Sequence, residues 1–228
     1  MSIQSVHQTA QSLSYYRRVQ EAMANNLANA STHAFKVTRM TAHAGDEALE
    51  AVQWTDWRQG AISETQRPLD LALDGPGFLV VQTGQGERLM RGGSLQLDDA
   101  GRLTDLDGHV VQGAEGPIVV AGSSVSIAED GHVLVDGSPA GRLRLETVAD
   151  LKALVHEDGG RYVAQEATQP AAEGSVRVLQ GRLEEPNVDT ILGMVDLLEV
   201  QRAYAANVSA LRVIDGVLSI AANEVGKV

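Results

Sequence analysis

Apolar residues recur at steps of three or four at both ends of the chain, and in short, often alternating runs between them. At the start, Ile3, Val6, Ala10, Leu13, Tyr16, Val19, Met23, Leu27 and Ala30 mark one face of a helix running from residue 3 to about 29. Gln4, Gln8, Gln11, Arg18 and Asn25 lie opposite, and no Gly or Pro interrupts. Asn29, Ser31 and Thr32 then offer the backbone competing side-chain hydrogen bonds, which ends the helix. The period returns at Asn187, placed to cap a second helix with Asp189 in its first turn. Leu197, Val200, Tyr204, Val208, Leu211, Ile214, Leu218, Ala221 and Val225 then trace a coiled-coil seam. At 1.5 Å per residue the first helix would be roughly 40 Å long and the second roughly 60 Å.

From Arg67 to about Gly181 the runs are short: "LDLAL", "FLVVQ", "PIVV", "HVLV", "RLRLETV", "SVRVL". Asp74-Gly75, Gly92-Gly93, Asp107-Gly108, Asp130-Gly131 and Asp136-Gly137 punctuate them, predicting an antiparallel all-β domain. One short helix is expected near Ala149–Val155. Between the first helix and this domain, "GDEALEAVQW" could form a helical turn or two, and the segment is read as an extended connector anchored by Trp54 and Trp57. The expected class is α+β, with long N- and C-terminal helices forming a coiled-coil-like layer and a central antiparallel all-β domain. Its expected divisions are an N-terminal axial helix over 1–36, a connector over 37–67, the β domain over 68–183 and a C-terminal axial helix over 184–228. Two such helices cannot hide both stripes from water alone, so assembly with further copies or relatives is the simplest inference.

Composition narrows the classes. The 228 residues suffice for one large or two small domains, and 43% hydrophobic with 21% charged residues is ordinary for a soluble protein. Aromatics at 4% leave an aliphatic core, and a net charge of -12 argues against nucleic acid. Residues 1–44 hold Arg17, Arg18, Lys36 and Arg39 against Glu21 alone, an asymmetry that suits a basic end meeting acidic surface on this chain or a neighbour, or two solvated surfaces of different sign. The absence of cysteine excludes disulfides and thiolate chemistry. No apolar run reaches the ~18 residues of a membrane span, and "MSIQSVHQTAQSL" is no Sec signal peptide.

Catalytic patterns are weak. The six histidines show no metal-ligand pairing, and "DLDGH" (Asp105 to His109) and "LDDAG" lack the ligand order of an EF-hand loop. "GQGERLMRGG" is no phosphate loop, and "GGSLQ" is no nucleophile elbow. No enzyme, cofactor or metal site is expected.

Read together, "NNLANAST" with Phe35-Lys36, "DLALDGPGFLVV", "RGGSLQLDDAGRLTDLDGHVVQG", "LEEPNVD" and "MVDLLEVQRAYAANVSALRVID" resemble the flagellar axial proteins of the rod and hook group, and the basal-body rod members above all. The resemblance covers nearly the whole chain. It implies a structural subunit of the bacterial flagellar rod that leaves the cytoplasm through the flagellar export apparatus without a cleaved signal. Such a subunit polymerises through its terminal helices, with other rod subunits, neighbouring axial proteins or its own copies as partners. "RPLDLAL" and "AEGPIVV" lean towards the proximal-rod member; a distal-rod or hook-type subunit is the alternative. A carbohydrate- or peptide-binding β domain on a helical tether is the reading from another class. The expected assembly positions are Leu13, Leu27, Phe35, Leu197, Tyr204, Leu211, Ile214 and Leu218, with Asn26, Asn29, Gln201, Arg202 and Asn207 as polar register contacts. The chain departs from the family at His33-Ala34, where Gly is common, and at Pro186, where Ser is common.

Overall fold

The computed structural model describes residues 3–44 and 49–225, and in it the chain divides into two compact units. Ser31–Lys36 and Trp57–Asn187 form one, and the described residues outside those ranges form the other.

In the helical unit, α1 (Ile3–Ala28) packs against α2 (Thr190–Val225) and against a hairpin of β1 (Thr38–Ala44) and β2 (Leu49–Thr55). The expected connector thus holds a pair of antiparallel strands, with residues 45–48 of "GDEALEAVQW" outside the described residues. Asn26 of α1 grips its first residue as a neighbouring strand would: Nδ2 donates to Thr38 O at 2.7 Å, and Oδ1 accepts from Thr38 N at 2.8 Å. α2 starts later than the spacing predicts. Asp189, not Asn187, caps it, its Oδ1 accepting from the amides of Ile191 (3.1 Å) and Leu192 (3.0 Å).

The β unit is built of antiparallel strands. β3 (Ile62–Glu64) pairs with Arg182–Glu184. β4 (Asp70–Asp74) lies between Arg177–Gln180 and β7 (Gly92–Ser94). β5 (Phe78–Thr83) and β6 (Gly86–Met90) are central to the largest sheet, which continues through Arg161–Ala164 to Leu154–Glu157 on one side and through Val110–Gly113 on the other. Leu71, Leu73, Leu79, Val81, Leu103, Val111 and Val133 fill an aliphatic core. A second cluster gathers Phe78, Val80, Leu89, Leu154 and Tyr162, with Trp57 against it.

The Asp-Gly signals mark real turns. Gly75 has φ +112°, and an added Cβ would stand 2.2 Å from the Ser175 carbonyl oxygen, so the site requires glycine twice over. The helix expected near Ala149–Val155 shrinks to one 3-10 turn, Leu151–Ala153, capped by Asp150.

The expected class therefore needs correction. The chain is about 38% strand and 28% helix, a mainly β protein of several sheets with two α-helices among the described residues, and not an α+β fold organised on a coiled-coil-like layer. A coiled coil encloses its seam residues as knobs in holes. Here Val19 is the one buried apolar side chain described in α1, and no described side chain of α2 is buried. Heptad spacing specifies which residues share a face; the enclosure comes from neighbours, and one α1 does not supply it.

Candidate functional site

The seam residues of α2 share a face, as their spacing requires. Leu197, Val200, Tyr204, Val208, Leu211 and Ile214 are all half-buried, while Gln201 and Arg202 are exposed. The side chain of Leu218 lies outside the described residues. Asn207 Nδ2 donates to Ala203 O within the helix at 2.9 Å. On α1, Leu13 and Leu27 are half-buried, Asn26 is buried on the hairpin, and Asn29 Nδ2 returns to Asn25 O at 3.0 Å. Phe35 stands apart from this group: it is buried in the β unit, its ring 5.5 Å from that of His156.

Off the expected seam, α2 carries a further apolar surface. Ile191 (76% exposed), Leu192 (60%), Met194, Val195 and Leu198 crowd its first turns, and Val213, Val217 and Ile220 follow towards its end. Heptad reading passed over these positions because it follows one face. Their signal was the plain apolar density of "TILGMVDLL" on all sides of the helix.

The N- and C-terminal signatures also meet, at a point which sequence spacing does not reveal. The segment Ser31–Lys36 lies along the strand ending at Glu184: Ala34 N donates to Glu184 O at 2.7 Å, and Asn187 N to Phe35 O at 3.3 Å. Lys36 Nζ and the Glu184 carboxylate form an ion pair with both side chains essentially inaccessible to water. Glu184 Oε1 also accepts from Gly60 N at 3.0 Å, and its Oε2 faces Arg91 Nη2 at 3.4 Å. Arg91 in turn donates to the carbonyls of Leu73 (3.2 Å), Gly75 (2.7 Å) and Gly77, and sits 5.6 Å from the Phe78 ring. One carboxylate thus serves two buried cations, and backbone carbonyls accept from Arg91 where a second anion is lacking. Burial pushes the nearby Tyr162 phenol well above its ordinary range, so that group stays neutral.

The remaining clusters are structural in their chemistry. Asp105, Asp107 and His109 bring potential ligand atoms within 4.8 Å of one another. Arg161 Nη1 already donates to Asp105 Oδ2 at 2.9 Å and to Asp107 Oδ2 at 2.6 Å, placing a cation where a metal would need to sit. Asp105 Oδ1 meanwhile accepts the amides of Asp107 and His109 and closes the turn. A cleft of about 870 Å3 is bordered by Arg142, Arg144, Arg177, Glu129 and Glu146. Arg144 is held by Glu87 and Glu146, and Arg177 by Asp74 and Glu129. Phe78 and Tyr162, which a carbohydrate platform would need at the surface, are both in the core.

A β unit with a closed core, in one chain with helices whose apolar faces stay open, defines a structural subunit of an assembly. The matches to known families are specific. Residues 179–224 match the flagellar basal body rod FlgEFG protein C-terminal family, and residues 72–135 the flagellar hook protein FlgE/F/G D1 domain. The flagellar basal-body rod protein FlgF of Escherichia coli (strain K12) is 33% identical over 221 residues, covering 86% of this chain and 88% of that protein. FlgF of Caulobacter vibrioides is 30% identical over 205 residues (82% and 84%), and FlgG of Bacillus subtilis 28% over 237 (87% and 90%). The chain belongs to the flagellar basal-body rod protein family of FlgF/FlgG type, a family of structural proteins of the flagellar basal body and not of enzymes.

Proposed function

We propose that this chain is an FlgF-type subunit of the rod and that α1 and α2 are its assembly elements. One observation carries the reading: no described side chain of α2 is buried, although the helix presents apolar residues along most of its length. Exposed apolar area on this scale is covered when neighbouring subunits pack against it. The partners are other flagellar axial subunits, copies of this chain among them, and the resemblance adds the export apparatus that would deliver it. Within the expected interface set, Leu13, Leu27, Leu197, Tyr204, Leu211 and Ile214 are the apolar contacts, and Gln201 and Arg202 the accessible polar ones. Asn26 and Phe35 act one step back, holding the hairpin and the Ser31–Lys36 segment of their own chain.

The test is Leu211→Asp in the full-length chain, expressed in a strain lacking the natural gene. The substituted protein is expected to keep the circular dichroism and unfolding midpoint of the β unit and to vanish from isolated basal bodies. Normal incorporation would refute the assignment of the helices as assembly elements.

A further inference from the structure

The buried network around Glu184 is asymmetric. Gly60, the carbonyls of Leu73, Gly75 and Gly77, Arg91 and Glu184 all belong to the continuous stretch Trp57–Asn187. Lys36 alone comes from the separate piece Ser31–Lys36, whose neighbours in sequence on both sides belong to the other unit. Without Lys36, the Glu184 carboxylate keeps the Arg91 guanidinium and the Gly60 amide. Without Glu184, two buried cations face each other, which is far costlier.

We propose that Arg91 is a positioning residue for assembly: with Gly60 it holds the Glu184 carboxylate as a preformed acceptor socket, into which the N-terminal signature plugs through Lys36. The backbone pairs Ala34–Glu184 and Asn187–Phe35 and the packing of Phe35 on His156 seat the plug once its charge is met. Lys36 Nζ also donates to the Arg58 carbonyl at 3.0 Å. Docking fixes the end of the signature identically in every copy, which a regular polymer requires. This deepens the rod-subunit reading and rests on it, naming residues outside both helices that the polymer depends on.

The experiment uses the full-length chain and two readouts: hydrogen exchange at the amides of Ala34 and Asn187, and incorporation into isolated basal bodies. Lys36→Met is expected to accelerate exchange at both amides by about tenfold or more, while amides of β5 keep their protection. Incorporation is expected to fall by a similar factor. The swap Lys36→Glu with Glu184→Lys separates a socket from a simple pair. A simple pair would be restored by the exchange, whereas here the transplanted ammonium meets Arg91, and docking stays lost until Arg91→Met is added. Unchanged exchange in Lys36→Met, or rescue by the swap alone, overturns the socket. Accelerated exchange with normal incorporation overturns the positioning role. Normal incorporation of Leu211→Asp is the separate result that would tell against the rod-assembly reading itself.

Discussion

Leu103 and Leu198 are the same residue in opposite situations. Leu103 is wholly buried in the β unit, one of a group of aliphatic side chains that enclose each other completely. Leu198 is 54% exposed on α2, beside Ile191, Leu192, Met194 and Val195 in the same state. The β unit obtains its stability from contacts within one chain. The helix keeps its apolar residues for contacts that one chain cannot make. Hydrophobic content alone therefore says nothing about where a protein is stable; closure of the surface does.

The contrast can be broken most directly by truncating both leucines. Leu103→Ala is expected to cost about 3 kcal/mol in chemical denaturation of the isolated subunit, whereas Leu198→Ala should cost less than about 0.5 kcal/mol. Equal costs would mean that α2 is enclosed after all. A smaller effect separates the core from its charged border. Glu157 accepts from Arg88 Nε at 2.6 Å and Nη2 at 3.3 Å, and these bonds hold its carboxyl below its usual 4.5 against the opposing effect of burial. A depressed carboxylate stabilises the fold above its unfolded pKa and loses that contribution as pH falls through the folded value. Glu157→Gln should thus cost about 1 kcal/mol near neutral pH. The gap between variant and parent should close as pH is lowered below 4.5 in pH-dependent unfolding. The smallest effect concerns the family departure. Ala34 adopts φ +58°, a left-handed conformation that glycine takes without strain. Ala34→Gly is expected to raise the unfolding free energy by about 0.5 kcal/mol, relief of strain exceeding the entropy added to the unfolded chain.

Much of this architecture was legible in the residues. Alternation and Asp-Gly turns located the β strands because each turn depends on local backbone geometry, as at Gly75. Spacing placed Leu197 through Ile214 on one face for the same local reason. The β1–β2 pair was missed although Met40, Ala42 and Ala44 alternate with Arg39, Thr41 and His43, because alanine is a weak strand former and "GDEALEAVQW" equally suits a helical turn. The start of α2 was misplaced because Asn187 and Asp189 are both capable caps, and only the fold decides between them. The coiled-coil layer failed since a heptad defines a face and not its neighbours. Lys36 and Glu184 stood inside the quoted signatures, yet nothing in those letters distinguishes a buried charge from a solvated one. Arg91 was harder still, because its three carbonyl acceptors are set by how the turn at Gly75–Gly77 folds back.

The partners in the Lys36–Glu184 pair are separated by 148 positions. Closing so wide a loop costs conformational entropy that no nearby contact offsets in advance, though the cost grows only logarithmically with length. The short piece around Phe35 is consequently made well before the strand it docks on. Until the chain has been made through to residue 184 the Ser31–Lys36 segment has no seat, and a nascent subunit stays open at the very point where the finished one is locked.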